Sequence, residues 1–270
     1  MRPEFRRWFL LIALLIRSSQ AHAEVSVLAV ALPEYGRTRA LLELPPHPLG
    51  IVVLLPGGNG SVGVSNDGGV RNNRNFLVRT RNAWIANGYG YLLVDAPQDA
   101  PSLLGTRHTK EYAAVVAAVV KRVRKLGIPV LLMGTSQGSI AAASGAALLK
   151  TTVAGVVLTS TVAAMGSSGE TVFDAALNQI AVPVLIVDDT EDRCPSSPPA
   201  ASDRIAAALT ASPLVEQEHF SSSASDGEEC GPFSPHGYFR IEEAVVDRVG
   251  AWFRRRIPVP SNTPERPSRF

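Results

Sequence analysis

The chain is 270 residues long with a formal net charge of +2, and 46% of its residues are hydrophobic against 19% charged. These values exclude a disordered or low-complexity chain and allow one sizeable core, while being short for two. Its lysines and arginines are scattered or lie at helix ends (Lys121, Arg122, Arg124, Lys125; Arg254, Arg255, Arg256) without interleaved aromatics, which argues against a nucleic-acid or membrane surface.

Residues 1–23 have the pattern of a signal peptide: arginines at Arg2, Arg6 and Arg7, an apolar run over 8–16, and Ala21-His22-Ala23 as a cleavage site. The run is shorter than the roughly 20 residues that span a bilayer. The mature chain is therefore expected to be exported, periplasmic or secreted, with no stable membrane insertion. Residues 24–257 read as one domain. Residues 258–270, rich in Pro, Ser and charge, read as a flexible tail.

Residues 25–32 and 38–44 suggest two opening strands joined by a turn at Pro33-Glu34-Tyr35-Gly36. Residues 50–55 form a short continuous apolar run, the mark of a central strand covered on both faces. A Gly/Asn/Ser-rich loop follows to about Asn75, then a helix over 76–86 closed by Asn87-Gly88, and a buried strand over 89–94 ending at Asp95. An alanine- and valine-rich helix is expected over 110–126, stopped by Gly127 and Pro129. Beyond it come a strand at 130–133, a helix at 139–149, a strand at 153–159 and a helix at 171–180. A strand at 183–187, a helix at 199–209, a last strand at 214–220 and a closing helix at 240–256 complete the chain. Strands alternating with helices after an opening hairpin predict an α/β fold with a mostly parallel sheet, helices on both faces and no large cap domain.

Chemistry centres on Gly134-Thr135-Ser136-Gln137-Gly138. This G-x-S-x-G pattern lies directly behind an apolar strand and in front of an alanine-rich helix, the context of an elbow that lifts a serine hydroxyl out of a sheet. A plain glycine-rich turn is the bland alternative. A serine nucleophile needs a base and an acid, in the chain order Ser, Asp or Glu, His. His22, His47 and His108 precede the elbow and His219 belongs to the last strand, which leaves His236 in the loop between the last strand and last helix. The acid is expected after the strand at 183–187, where Asp188, Asp189, Glu191 and Asp192 compete. Asp192 is favoured because it is far enough past the strand to reach the histidine loop; Asp188 or Asp189 is the alternative. Oxyanion donors are expected from the N–H of Gln137 and from the glycine run after the strand at 50–55, with Gly58 the first choice and Asn59 the second.

Cys194 and Cys230 are the chain's two cysteines. In an oxidising compartment they invite a disulfide, worth about 4 kcal/mol in the loop-entropy model, which would tie the acid loop to the histidine loop. Gly58-Asn59-Gly60-Ser61-Val62-Gly63 also spells G-x-G-x-x-G behind a strand. A dinucleotide site would need a helix to begin there and an acid about 20 residues on. Residues 64–69 are no helix, and Asp95 is too far.

With these residues in view the chain resembles the α/β-hydrolases over essentially its whole mature length. The likeness rests on the elbow 134–138, the glycine run 57–60, the strand-plus-acid stretch 184–192, and His236-Gly237. Many members have His-Gly where this chain has Pro56-Gly57, and a different pair where it has Asp188-Asp189. The resemblance implies hydrolysis of a small-molecule ester or related acyl bond through an acyl-enzyme, with no metal or organic cofactor. A carboxylesterase acting on small soluble esters is the leading expectation; peptidase, lipase and polyester-degrading activities stay open, as does a non-catalytic binding or scaffold protein. The loops at 61–75 and 163–170, both glycine-rich and polar, are expected to shape a shallow, exposed pocket.

Overall fold

A computed structural model describes residues 23–256 apart from 33 and 101. The signal-peptide reading of residues 1–23, all but its last residue, and the tail at 258–270 lie outside the described residues. Eight strands make one sheet: β1 (Glu24–Leu32), β2 (Gly36–Leu44), β3 (Ile51–Leu55), β4 (Gly90–Val94), β5 (Val130–Thr135), β6 (Gly155–Thr159), β7 (Val184–Asp189) and β8 (Val215–Phe220). Their order is β1-β2-β4-β3-β5-β6-β7-β8. The opening hairpin pairs antiparallel within itself and with β4, and every later pairing is parallel.

The apolar runs explain the centre of this sheet. All five residues of β3 are buried, and their side chains alternate between two cores: Ile51, Val53 and Leu55 on one face, Val52 and Leu54 on the other. Burying a side chain of this size contributes about 2 kcal/mol. Helices α3 (Lys110–Arg124), α4 (Gln137–Leu149) and α5 (Ser202–Ala208) cover the first face. Helices α1 (Phe76–Arg79), α2 (Arg81–Ala86) and α6 (Glu242–Arg254) cover the second.

From β3 the chain crosses to β4 on one side, and from β4 it crosses back to β5 on the other side of β3. The carboxyl ends of β3 and β5 therefore flank a point where the winding reverses, the place where open α/β sheets form a crevice. The glycine run follows β3 and the elbow follows β5.

Several expected elements differ, these most clearly. The helix expected over 171–180 is two 3-10 turns, Val172–Asp174 and Leu177–Gln179, the first closed by a Thr171–Asp174 capping box. The helix at 76–86 is broken at Thr80, whose hydroxyl donates back to the Phe76 carbonyl at 2.8 Å, a bond that competes with helix continuation. Strand β7 runs two residues past its expected end, to Asp189.

Candidate active site

Ser136 stands between β5 and α4 with φ 52° and ψ −126°, a conformation that non-glycine residues rarely hold. Steric demands on the neighbouring glycines explain the motif. A Cβ at Gly138 would lie 1.9 Å from the Leu55 carbonyl oxygen, and one at Gly134 would lie 2.1 Å from that of Gly138. With both positions bare, helix, elbow and β3 approach closely enough to hold the strained serine. Its amide donates to Thr159 O at 2.9 Å, and Ser139 N and Oγ both bond the Ser136 carbonyl.

Asp192 and His236 are brought together. His236 Nδ1 lies 2.9 Å from Asp192 Oδ2, with both side chains almost wholly buried. A carboxylate only accepts, so Nδ1 carries the proton and Nε2 is left free to take one. The other Asp192 oxygen accepts Cys194 N–H at 2.8 Å. Cys194 is bonded to Cys230, so a covalent link joins the acid loop to the loop that carries His236.

The competing acids face elsewhere. Asp188 bonds Ser202 Oγ at 2.5 Å and His219 Nδ1 at 2.7 Å. Asp189 is fully buried and accepts the amides of Glu191 and Ser222 at 3.0 and 3.1 Å through one oxygen, while its other oxygen has no partner among the described residues. Burial raises the Asp189 carboxyl above its ordinary 3.8, against those two hydrogen bonds.

An open cleft of about 470 Å³ runs over the carboxyl ends of β3 and β5. Gly57, Gly58 and Asn59 border it together with Ser136 and His236. No hydrogen bond joins Ser136 Oγ to His236 among the described residues. The N–H groups of Gly58, Asn59 and Gln137 likewise donate to no acceptor there. Gln137 lies just behind Ser136 as the first residue of α4. The segment 61–76 also borders the cleft at several positions, including 71–76, whereas the segment 163–170 does not.

Several supports were not singled out in the sequence. Arg107 is 1% exposed, and its Nη2 donates to Gly58 O at 2.8 Å and Pro56 O at 3.4 Å, bracing the glycine run from behind. Desolvation lowers its pKa. Glu170, also buried, takes the Gly105 and His108 amides and His108 Nδ1, holding the turn before α3. Tyr238 Oη accepts Ser160 N–H at 3.0 Å and donates to Val187 O at 2.9 Å, and Ser160 Oγ donates to the His236 carbonyl at 2.8 Å. Together they seat the histidine loop on the ends of β6 and β7. Asp95, at the end of β4, accepts the amides of Val62, Gly63 and Val64 at 2.8, 3.2 and 2.8 Å. The G-x-G-x-x-G run is thus bound by a carboxylate of the chain itself, and no helix begins there.

Among the described residues no group of three or more His, Cys, Asp or Glu is placed to hold a metal ion, and no helix is long and apolar enough to cross a membrane. The chain is similar in fold to a dienelactone hydrolase from Anabaena variabilis, at 16% identity and TM-score 0.59, covering 87% of this chain and 99% of that one. Est1E from Butyrivibrio proteoclasticus matches at 15% identity and TM-score 0.59, over 86% and 99%. An α/β serine hydrolase without lid from Xanthomonas campestris matches at 15% and 0.59, over 88% and 97%. No family model and no curated protein matches the sequence.

Proposed function

The chain is an α/β hydrolase by fold, and from that premise we propose that it is an esterase in which Ser136, His236 and Asp192 form an acyl-transfer triad. The observation that carries the reading is one cleft bordered by the strained Ser136, the Asp192-bonded His236 and the glycine run. His236 Nε2 takes the Ser136 proton as Oγ attacks the ester carbonyl. The Ser136–His236 hydrogen bond closes in the substrate complex, since such bonds are often long in unliganded hydrolases. The free N–H groups of Gln137 and Gly58 receive the developing oxyanion, each worth roughly 10²–10³ in rate. His236 then returns the proton to the leaving alcohol, and water, activated by the same imidazole, releases the acid from Ser136.

The open, polar, lidless cleft suits small soluble esters, which makes a carboxylesterase the form this activity takes. The N-terminal signal pattern and the disulfide support export, with residues 24–257 as the mature domain and 258–270 as a tail. Hydrolysis of p-nitrophenyl esters from acetate to palmitate, beside Ser136→Ala, tests the reading. The expected result is turnover that favours short chains and falls by about 10⁶ in the variant. Equal rates in the two proteins would overturn it.

A further inference from the structure

One wall of the cleft carries chemistry that ester hydrolysis alone does not require. Residues 71–75 read Arg-Asn-Asn-Arg-Asn, and all five border the cleft. Among the described residues no Asp or Glu lines it. Among the described residues neither Arg71 nor Arg74 takes part in an ion pair, although Arg79, Arg248, Arg255 and Arg256 all do. A guanidinium stays charged at any working pH, so two cations border this cleft with no ion-pair partner among the described residues.

Their support is ordered. The Arg71 amide donates to Gly63 O at 3.3 Å, and Asn72 is bonded to Val62 O at 2.9 Å through its amide and to Ser61 O at 2.9 Å through its side chain. Asp95 in turn grips the amides of residues 62–64. The Arg74 guanidinium lies over the Phe233 ring, 5.1 Å from its centroid, on the loop that carries His236. Two guanidinium forks beside three carboxamides form a donor-rich wall suited to a planar carboxylate.

We infer that this wall is an anion subsite, selecting esters whose acyl or alcohol part carries a carboxylate, with Arg71 and Arg74 as its charge partners. The inference rests on the esterase reading of Ser136 and narrows its substrate class.

Two matched pairs test it: the mono-4-nitrophenyl ester of glutaric acid against its terminal carboxamide, and 4-carboxyphenyl butyrate against 4-carbamoylphenyl butyrate. In the wild-type protein at least one carboxylate is expected to exceed its carboxamide about tenfold in kcat/KM at low salt, with the ratio shrinking as NaCl is raised. In the Arg71→Gln/Arg74→Gln double variant the ratio falls towards one, and in Arg71→Lys/Arg74→Lys much of it returns. Because each figure is a ratio within one protein, general loss of activity cancels. Ratios near one for both pairs in an active wild-type enzyme overturn the anion subsite, as does a preference that survives the double Gln substitution. Calorimetric titration of the Ser136→Ala protein with N-butylglutaramic acid, an anion with no ester to cleave, separates the two readings. Salt-sensitive binding that is lost in the double variant, without turnover of any ester, would sink the esterase reading and leave the anion site standing. Turnover without such binding, and with both ratios near one, would do the reverse.

Discussion

Around Ser136 the chain is held by close packing of backbone on backbone, while the polar lobe of residues 61–75 is held by hydrogen bonds, three of them to the buried Asp95 carboxylate. At the elbow, bare glycines let the Leu55 carbonyl, β5 and α4 meet at distances that a single Cβ would abolish. The polar lobe has no such packing: an isolated bridge between Val64 and Val70 and the amides gathered on Asp95 give it shape. Both regions border the same cleft. The contrast assigns them different work. In the proposed reading the elbow sets a reacting atom, which tolerates little displacement, and the lobe presents groups that bind, where small shifts cost affinity before they cost rate.

If that division holds, the largest effect belongs to the catalytic side. Asp192→Asn is expected to lower kcat by about 10⁴ while leaving the fold intact, because Nδ1 of His236 loses the partner that sets its tautomer. Asp189→Asn, whose side chain bonds only amides of its own neighbourhood, should stay close to wild-type turnover. The reverse pattern in steady-state kinetics would move the acid to Asp189.

The covalent tie comes next. Cys194→Ser/Cys230→Ser opens a link across 36 residues and is expected to cost about 4 kcal/mol in urea unfolding. It should also reduce kcat, since Asp192 lies two residues from Cys194; unchanged kcat would show that hydrogen bonds to the residue 194 amide and to His236 suffice to hold the acid. Asp95→Ala probes the lobe: with its backbone amides left unpaired it should lose about 3 kcal/mol and raise KM more than it lowers kcat. A pure kcat defect would erase the distinction between lobe and elbow.

The smallest effect is a pH dependence. The raised Asp189 carboxyl means that the folded protein keeps this proton to a higher pH than the unfolded chain does. Its contribution to stability is present at low pH and is lost as pH rises from near 3.8 through the folded value. Asp189→Asn lacks this titration, so its stability relative to wild type should increase across that window and level off above it, measured by denaturation at stepped pH. A difference that is flat with pH would contradict the assignment.

Local signals made much of this legible in the sequence. The continuous apolar run of β3, the small residues after Ser136 and the loop position of His236 each carry their meaning within a few neighbours. The acid stayed open among Asp188, Asp189 and Asp192 because the end of a strand is decided by pairing: β7 extends to Asp189 opposite Phe220 of β8. That extension places Asp188 and Asp189 in the ladder and puts Asp192 in the turn beyond, bonded to His236. The lobe was harder to read, since residues 62–64 are shaped by a carboxylate more than thirty positions away. Arg107 is similar, a buried cation whose role depends on carbonyls at Pro56 and Gly58. The 3-10 turns at 172–179 were missed for a local reason: the Thr171–Asp174 box closes a turn that the alanines beyond it do not continue.

The central claim is an activated serine at the elbow. Intact-protein and peptide mass spectrometry after treatment with a fluorophosphonate test it directly, on the oxidised wild-type chain beside Ser136→Ala. The account predicts one stoichiometric adduct, on Ser136, absent from the variant and slowed in Asp192→Asn. No adduct on the folded wild-type protein, or an adduct on another residue, would contradict it.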